Sequence, residues 1–202
     1  MKIIINCQNS TLINNEIYVD PLRVDGKTKA KYVFITHPHW DHFSVEDINK
    51  VLTTETTLVC PLSMKESIEG VFENKILYVS PEKIYKIDNI SFETLCAYNN
   101  EKKFHPKNNN WVGYILNIDG ERVAIVGDSD VTSEHELMKT DILLIPIGGT
   151  YTMSLAEAAE LTNKINPRMV IPTHYGDIVG SQEMGKEFKK LINDNIVCEL
   201  QL

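Results

Sequence analysis

No two of the four cysteines, Cys7, Cys60, Cys96 and Cys198, stand close enough in the chain to make a Cys-x-x-Cys pair. That absence removes a zinc knuckle and a dithiol redox centre, and the cysteines are read instead as buried, reduced and inert. The chain also lacks any apolar run near the ~18 residues that a membrane-spanning helix needs. Its opening Met-Lys-Ile-Ile-Ile-Asn is far too short in apolar residues to be a signal-peptide core, so a cytoplasmic protein with no membrane span is expected. Positive charge is scarce: 20 Lys and Arg face 28 Asp and Glu, a formal net charge of −8. This disfavours long-range attraction to nucleic acid or to an anionic membrane. There is no Gly-x-Ser-x-Gly elbow for a serine nucleophile, and no Pro/Gly/Ser-rich linker or repeat. With 43% hydrophobic and 24% charged residues in 202, and roughly 150 residues to a domain, a single globular domain over residues 1–202 is expected.

What the chain does contain is a series of short β-rich runs: Lys2–Asn6, Glu16–Val19, Tyr32–Thr36, Thr57–Cys60, Ile76–Val79 and Ile90–Ala97. Trp111–Ile118 and Arg122–Asp128 flank Asp119-Gly120, a strong two-residue hairpin signal. DILLIPI and MVIPT read as two further buried strands, and Ile196–Leu200 as a terminal one. Ser44 with Asp47, Ser133 with Glu136, and Ser154 with Glu157 have the Ser-x-x-acid spacing of helix starts. The helix after Ser154 should stop near Asn166, because Pro167 disfavours helical geometry just before it. A last helix is expected over about 181–193. Strands alternating with helices in both halves imply sheets covered by helices. Residues 97–110, AYNNEKKFHPKNNN, read as one long polar loop.

Three of the six histidines fall with one aspartate in His37-Pro38-His39-Trp40-Asp41-His42. The run follows YVFIT and precedes the helix capped by Ser44, which puts it at the C-terminal end of a strand, where α/β sheets usually bind ligands. Imidazole and carboxylate suit Zn, Mn or Fe. Four such groups on one tight turn point in different directions, which favours two metals over one.

With these residues in view, the chain resembles the metallo-β-lactamase superfamily, whose His-x-His-x-Asp-His signature likewise follows a strand. IYVDP, THPHWDH, VGDSD, IPIGGTYTM and IPTHYG carry the resemblance along nearly the whole chain. It points to the small, single-domain metal-dependent hydrolase branch that includes ascorbate-phosphate lactonase-like and N-acyl-phosphatidylethanolamine phospholipase D-like proteins. The resemblance implies an α/β fold, a four-layer αββα sandwich. It also implies that His37 and His39 ligate a first metal, that Asp41, His42 and His174 ligate a second, and that Asp128 bridges the two. His105, the remaining histidine upstream of Asp128, would complete the first metal; the other reading is a solvated loop residue. His135 is expected at the surface, on the short helix after Ser133.

The resemblance therefore implies a hydrolase with two divalent ions, zinc first with Mn or Fe compatible, and Asp41 and Asp128 as catalytic residues. The expected substrate is a small, anionic molecule: a phosphodiester, lactone or related ester. Asp20 and Asp177 are candidate acceptors for the outer nitrogens of ligating histidines, and Gly148 and Gly149 read as a turn. Lys102, Lys103 and Lys107 around His105 could hold a phosphate or carboxylate at the rim, or simply be solvated. Alternatives are a metal-binding sensory protein or a nuclease of the same fold. A flavodiiron-type oxidoreductase typically has Glu where His39 stands. The sequence leaves homo-oligomerisation open.

Overall fold

β-branched and aromatic residues set the strands. The computed structural model describes residues 1–202. The first six strands, β1 (Ile3–Cys7), β2 (Ser10–Ile13), β3 (Ile17–Val19), β4 (Tyr32–Phe34), β5 (Thr57–Pro61) and β6 (Lys75–Val79), form one sheet in that spatial order. The second sheet runs β13-β12-β11-β10-β9-β8-β7. Its members are β7 (Ile84–Ile87), β8 (Ile90–Cys96), β9 (Val112–Ile118), β10 (Glu121–Ile125), β11 (Ile142–Pro146), β12 (Met169–Thr173) and β13 (Val197–Cys198). Within each sheet a run of neighbours is parallel, β3 to β6 and β10 to β13.

Three apolar interfaces arise from period-two alternation. On β4, Phe34 points to the inter-sheet core with Ile13, Val19, Phe92, Tyr114, Ile125 and Ile171. Its neighbours Val33 and Ile35 point the other way, against Ile48 and Val51 of helix α1 (Val45–Val51) and Ile68 of α2 (Lys65–Ile68). The outer face of the second sheet, with Leu143, Ile145 and Val170, is covered by Ala158 and Leu161 of α4 (Leu155–Ile165) and Phe188 of α5 (Glu183–Leu191). The result is the αββα sandwich. It explains why Tyr32–Ile35 and Ile142–Ile145 are unbroken apolar runs: strands covered on both faces need no polar side.

The hairpin expected at Asp119-Gly120 is present, and φ is +53° and +83° at the two turn residues, the double left-handed pattern of a type I′ turn. Helix α4 is capped by Ser154 and ends in left-handed Asn166 before Pro167. Several expectations are corrected. Helix α3 (Ser133–Glu136) is capped by Thr132, not Ser133, because the hydroxyl of Thr132 reaches His135 N–H. His135 is fully buried, whereas Leu137 is 81% exposed. The four-residue helix turns its histidine inward, where Nδ1 accepts from Thr132 N–H and Nε2 donates to the Cys96 carbonyl. Strands β2 and β7 lie outside the expected runs; both pair antiparallel with a neighbour across a tight turn. All four cysteines are free and buried, and burial pushes the Cys7 and Cys96 thiols up to about 11.

Candidate metal centre

Loops at one edge of both sheets bring seven side chains together. From the first sheet, the turn after β4 carries His37, His39, Asp41 and His42. The second sheet contributes His105 from the β8–β9 loop, Asp128 after β10 and His174 after β12. Ligand atoms of His37, His39 and His105 lie within 4.8 Å of one another, as do those of Asp41, His42 and His174, and those of His37, His42 and Asp128. His105, the residue with no strand end to fix it, is therefore inside the cluster. Asp128 stands between the groups. Its Oδ2 is 3.4 Å from His105 Nε2 and 3.0 Å from His174 Nε2, and its Oδ1 is 3.3 Å from His42 Nε2.

The outer nitrogens of His37, His42 and His105 are held by partners, while that of His174 is buried without one. Buried Asp20 accepts from His42 Nδ1 at 2.8 Å, from Thr36 N–H at 2.8 Å and from Asn9 Nδ2 at 2.7 Å. Thr36 Oγ1 lies 3.0 Å from His37 Nδ1, and Asn99 Oδ1 lies 3.0 Å from His105 Nδ1. Such contacts fix both tautomer and ring direction. Asp177, the other candidate acceptor, is instead an exposed partner of Arg23. Trp111 walls the first group, its ring 5.1 Å from that of His37 and 4.8 Å from that of His39.

Burial, and then the neighbouring His42, push His37 well below the usual imidazole range. Burial, and then His105, lower His39 as well. Both rings are thus kept neutral, the form of imidazole that binds a metal. Burial opposes charge on His42 and His174 too, but there Asp128 prevails, raising His42 strongly and His174 to about 9. The same two rings hold the Asp128 carboxyl well below its ordinary range against the cost of burial.

The donor set fits a metal. His42 Nε2, His105 Nε2 and Asp128 Oδ1 are buried, face one another, and have no hydrogen-bond partner. Orphaned buried polar atoms cost ~1–3 kcal/mol each and are uncommon. Three of them in one imidazole–carboxylate cluster match the donor chemistry of Zn, Mn or Fe.

Sequence reasoning passed over Gln8. It begins the two-residue turn between β1 and β2, with φ +49°, and its carbonyl accepts from His174 N–H. Its amide nitrogen is 3.5 Å from His174 Nε2, and its Oε1 is buried and unpartnered. The usable signal was a polar Gln-Asn pair between two apolar runs. The two glycines after β11 divide their roles. Gly149 makes the turn, at φ +79°, while a Cβ on Gly148 would meet the His174 carbonyl oxygen at 2.5 Å. Two of the three lysines are engaged elsewhere. Lys102 binds Asp130 at 2.5 Å and the Thr152 carbonyl at 2.7 Å, Lys107 lies over the Tyr98 ring, and Lys103 is exposed.

A cavity of about 240 Å³ opens beside the cluster, lined by His39, Trp40, Asp41, Phe104, His105, Asp128, Tyr151 and Ile178. No helix of the protein is long and apolar enough to cross a membrane.

The Beta-lactamase superfamily domain matches residues 6–174. A UPF0173 metal-dependent hydrolase of Pyrococcus furiosus is 30% identical over 198 residues, covering 90% of this chain and 86% of its own. The crystal structure of a protein assigned as a metal-dependent hydrolase from Parabacteroides distasonis superposes with a TM-score of 0.85 at 29% identity, covering 99% of this chain and 92% of that one. A metallo hydrolase from Ignicoccus hospitalis shares the fold, with a TM-score of 0.75 at 19% identity over 98% of this chain and 93% of that one.

Proposed function

Since the chain belongs to the β-lactamase superfamily, as a metal-dependent hydrolase, we propose that it cleaves a lactone, phosphodiester or related ester at a binuclear centre. His37, His39 and His105 would hold one divalent ion, Asp41, His42 and His174 the other, and Asp128 both. The observation that carries this reading is the position of Asp128, whose carboxylate oxygens lie within 3.4 Å of His105, a residue of one group, and of His42 and His174, residues of the other. Divalent ions bound there would lower the pKa of a water they hold toward ~7 and polarise the oxygen that gains charge on attack.

The rest is the work of the chain. Asp20 and Asn99 keep His42 and His105 turned inward, and Asp41, the partly exposed acid of the set, faces the cavity from which substrate arrives. The buried Trp111 ring packs on His37, His39 and His105, behind the cavity-lining residues, and helps hold those imidazoles in place.

The test is metal analysis joined to a panel of generic phosphodiesters, lactones and carboxylic esters. The wild-type protein should carry two ions per chain and hydrolyse at least one class. Asp128→Asn should carry fewer than two and lose at least about 100-fold in kcat/KM. One ion per chain in the active wild-type protein would overturn the binuclear centre. Two ions with no hydrolysis of any class would favour a sensory role.

A further inference from the structure

Exposed aromatic side chains scattered singly over a surface need no explanation. Here three of them meet at one opening. Trp40, on the turn after β4, is 65% exposed, Phe104 in the β8–β9 loop is 46% exposed, and Tyr151 in the loop after β11 is 37% exposed. Together with Ile178, from the loop after β12, they line the cavity that contains Asp41, His105 and Asp128. Four loops from both sheets thus contribute the apolar side of a single cleft.

The rim is also built in advance of any ligand. The Phe104 and Tyr151 rings meet edge to face, with centroids 4.6 Å apart and planes at 83°. The Tyr151 carbonyl accepts from Asn99 Nδ2 at 2.9 Å, and the same Asn99 amide holds His105 through its Oδ1. Lys102 ties this loop to Asp130 and to the Thr152 carbonyl. The aromatic pair and a candidate metal ligand therefore share one hydrogen-bonded support. In contrast, no lysine or arginine lines the cavity. An anionic group away from the reacting centre would find no cationic partner there, and would be desolvated beside aromatic carbon.

From these observations we infer that the cavity selects substrates whose non-reacting part is a compact, uncharged aromatic or alkyl group, seated against Trp40, Phe104, Tyr151 and Ile178. The volume of about 240 Å³ is below the ~300–1,000 Å³ of clefts that take drug-sized ligands, which limits that group to about the size of a benzyl or short alkyl substituent. Anionic character, where the substrate has it, belongs to the reacting group alone. This inference rests on the hydrolytic reading above.

Binding of hydroxamates, which chelate through their own head group, separates the two. In the zinc-loaded protein, phenylacetohydroxamate should bind about tenfold more tightly than acetohydroxamate by calorimetry, and succinic monohydroxamate, with its extra carboxylate, should bind no better than acetohydroxamate. Phe104→Ala and Tyr151→Ala, with unchanged thermal melting, should bring the phenylacetohydroxamate advantage down to about threefold or less, and Phe104→Leu should keep most of it. Equal affinities for the aromatic and acetyl probes, tighter binding of the succinic one, or no binding of any probe would overturn the inference. If hydrolysis of the ester panel persists in that case, only the inference falls. If the aromatic preference is present but nothing is hydrolysed, the inference stands and the hydrolytic reading falls.

Discussion

His135 shows what a single buried imidazole does to the acid stability of this protein. Burial holds its folded-state value down at about 4, against an ordinary 6.5, outweighing the Cys96 carbonyl that favours the charged ring. The unfolded chain takes up the proton first as pH falls. Its contribution is therefore complete above pH ~6.5 and is lost progressively as pH drops toward 4, amounting to about 3 kcal/mol at most. Denaturant midpoints of the wild-type protein and His135→Gln should differ most at pH 7.5 and converge near pH 4; a gap independent of pH would mean that His135 acts through packing alone. Cys96, whose carbonyl oxygen accepts from that ring, is inert as a thiol at these pH values, since burial has pushed it to about 11.

At the scale of the elements, the loop after β11 assigns unlike tasks to adjacent glycines. Gly149→Ala forces a left-handed residue with nothing nearer than 3.8 Å to its Cβ, so it should cost about 1–2 kcal/mol of stability and leave metal affinity unchanged. Gly148→Ala would drive a Cβ into the His174 carbonyl oxygen and the Val179 side chain, at 2.5 and 2.9 Å. Displacing His174 should weaken metal binding by about 10–100-fold in a chelator competition. If both variants bind metal equally, the close approach of these two loops does not position the histidine.

The legibility of the chain varies along the same elements. His37–His42, Asp128 and His174 stand at the ends of apolar runs, and a strand end fixes the direction of the residues just beyond it. The β9–β10 hairpin and the end of α4 were equally readable, since Asp119-Gly120 and Asn166-Pro167 have local conformational reasons to be where they are. Other features depend on distant partners. Nothing near His105 reveals that Asn99, Tyr151 and Lys102 clamp its loop to two others. His135 and Glu136 have the same local surroundings, and only the fit of a very short helix against β8 turns one inward. Lys102 looked available because its charge was visible and Asp130, 28 residues away in sequence, was not a local partner.

Across the whole molecule, the two sheets divide the chain almost without mixing: residues 3–79 build the first and 84–198 the second. The Phe34, Phe92 and Tyr114 rings, 5.1 to 6.2 Å apart, lock the sheets face to face. The candidate metal-ligand set is divided along the same line, with His37, His39, Asp41 and His42 on one side and His105, Asp128 and His174 on the other. Ions held by both sides would stabilise only the docked state, by about 2.7 kcal/mol at a free concentration 100 times the dissociation constant.

That division gives the centre a place in time. During synthesis four of the seven donors leave the ribosome well before the other three, so a complete set exists only once the second sheet has closed on the first. Ions that need both halves of the set would be captured after docking, and stabilisation absent from a transition state acts on the escape rate alone. Stopped-flow refolding should be indifferent to added zinc, whereas unfolding in denaturant should slow by about tenfold for each 1.4 kcal/mol that the ions contribute. Faster refolding with zinc would show instead that the first four donors recruit an ion early and organise the closure around it.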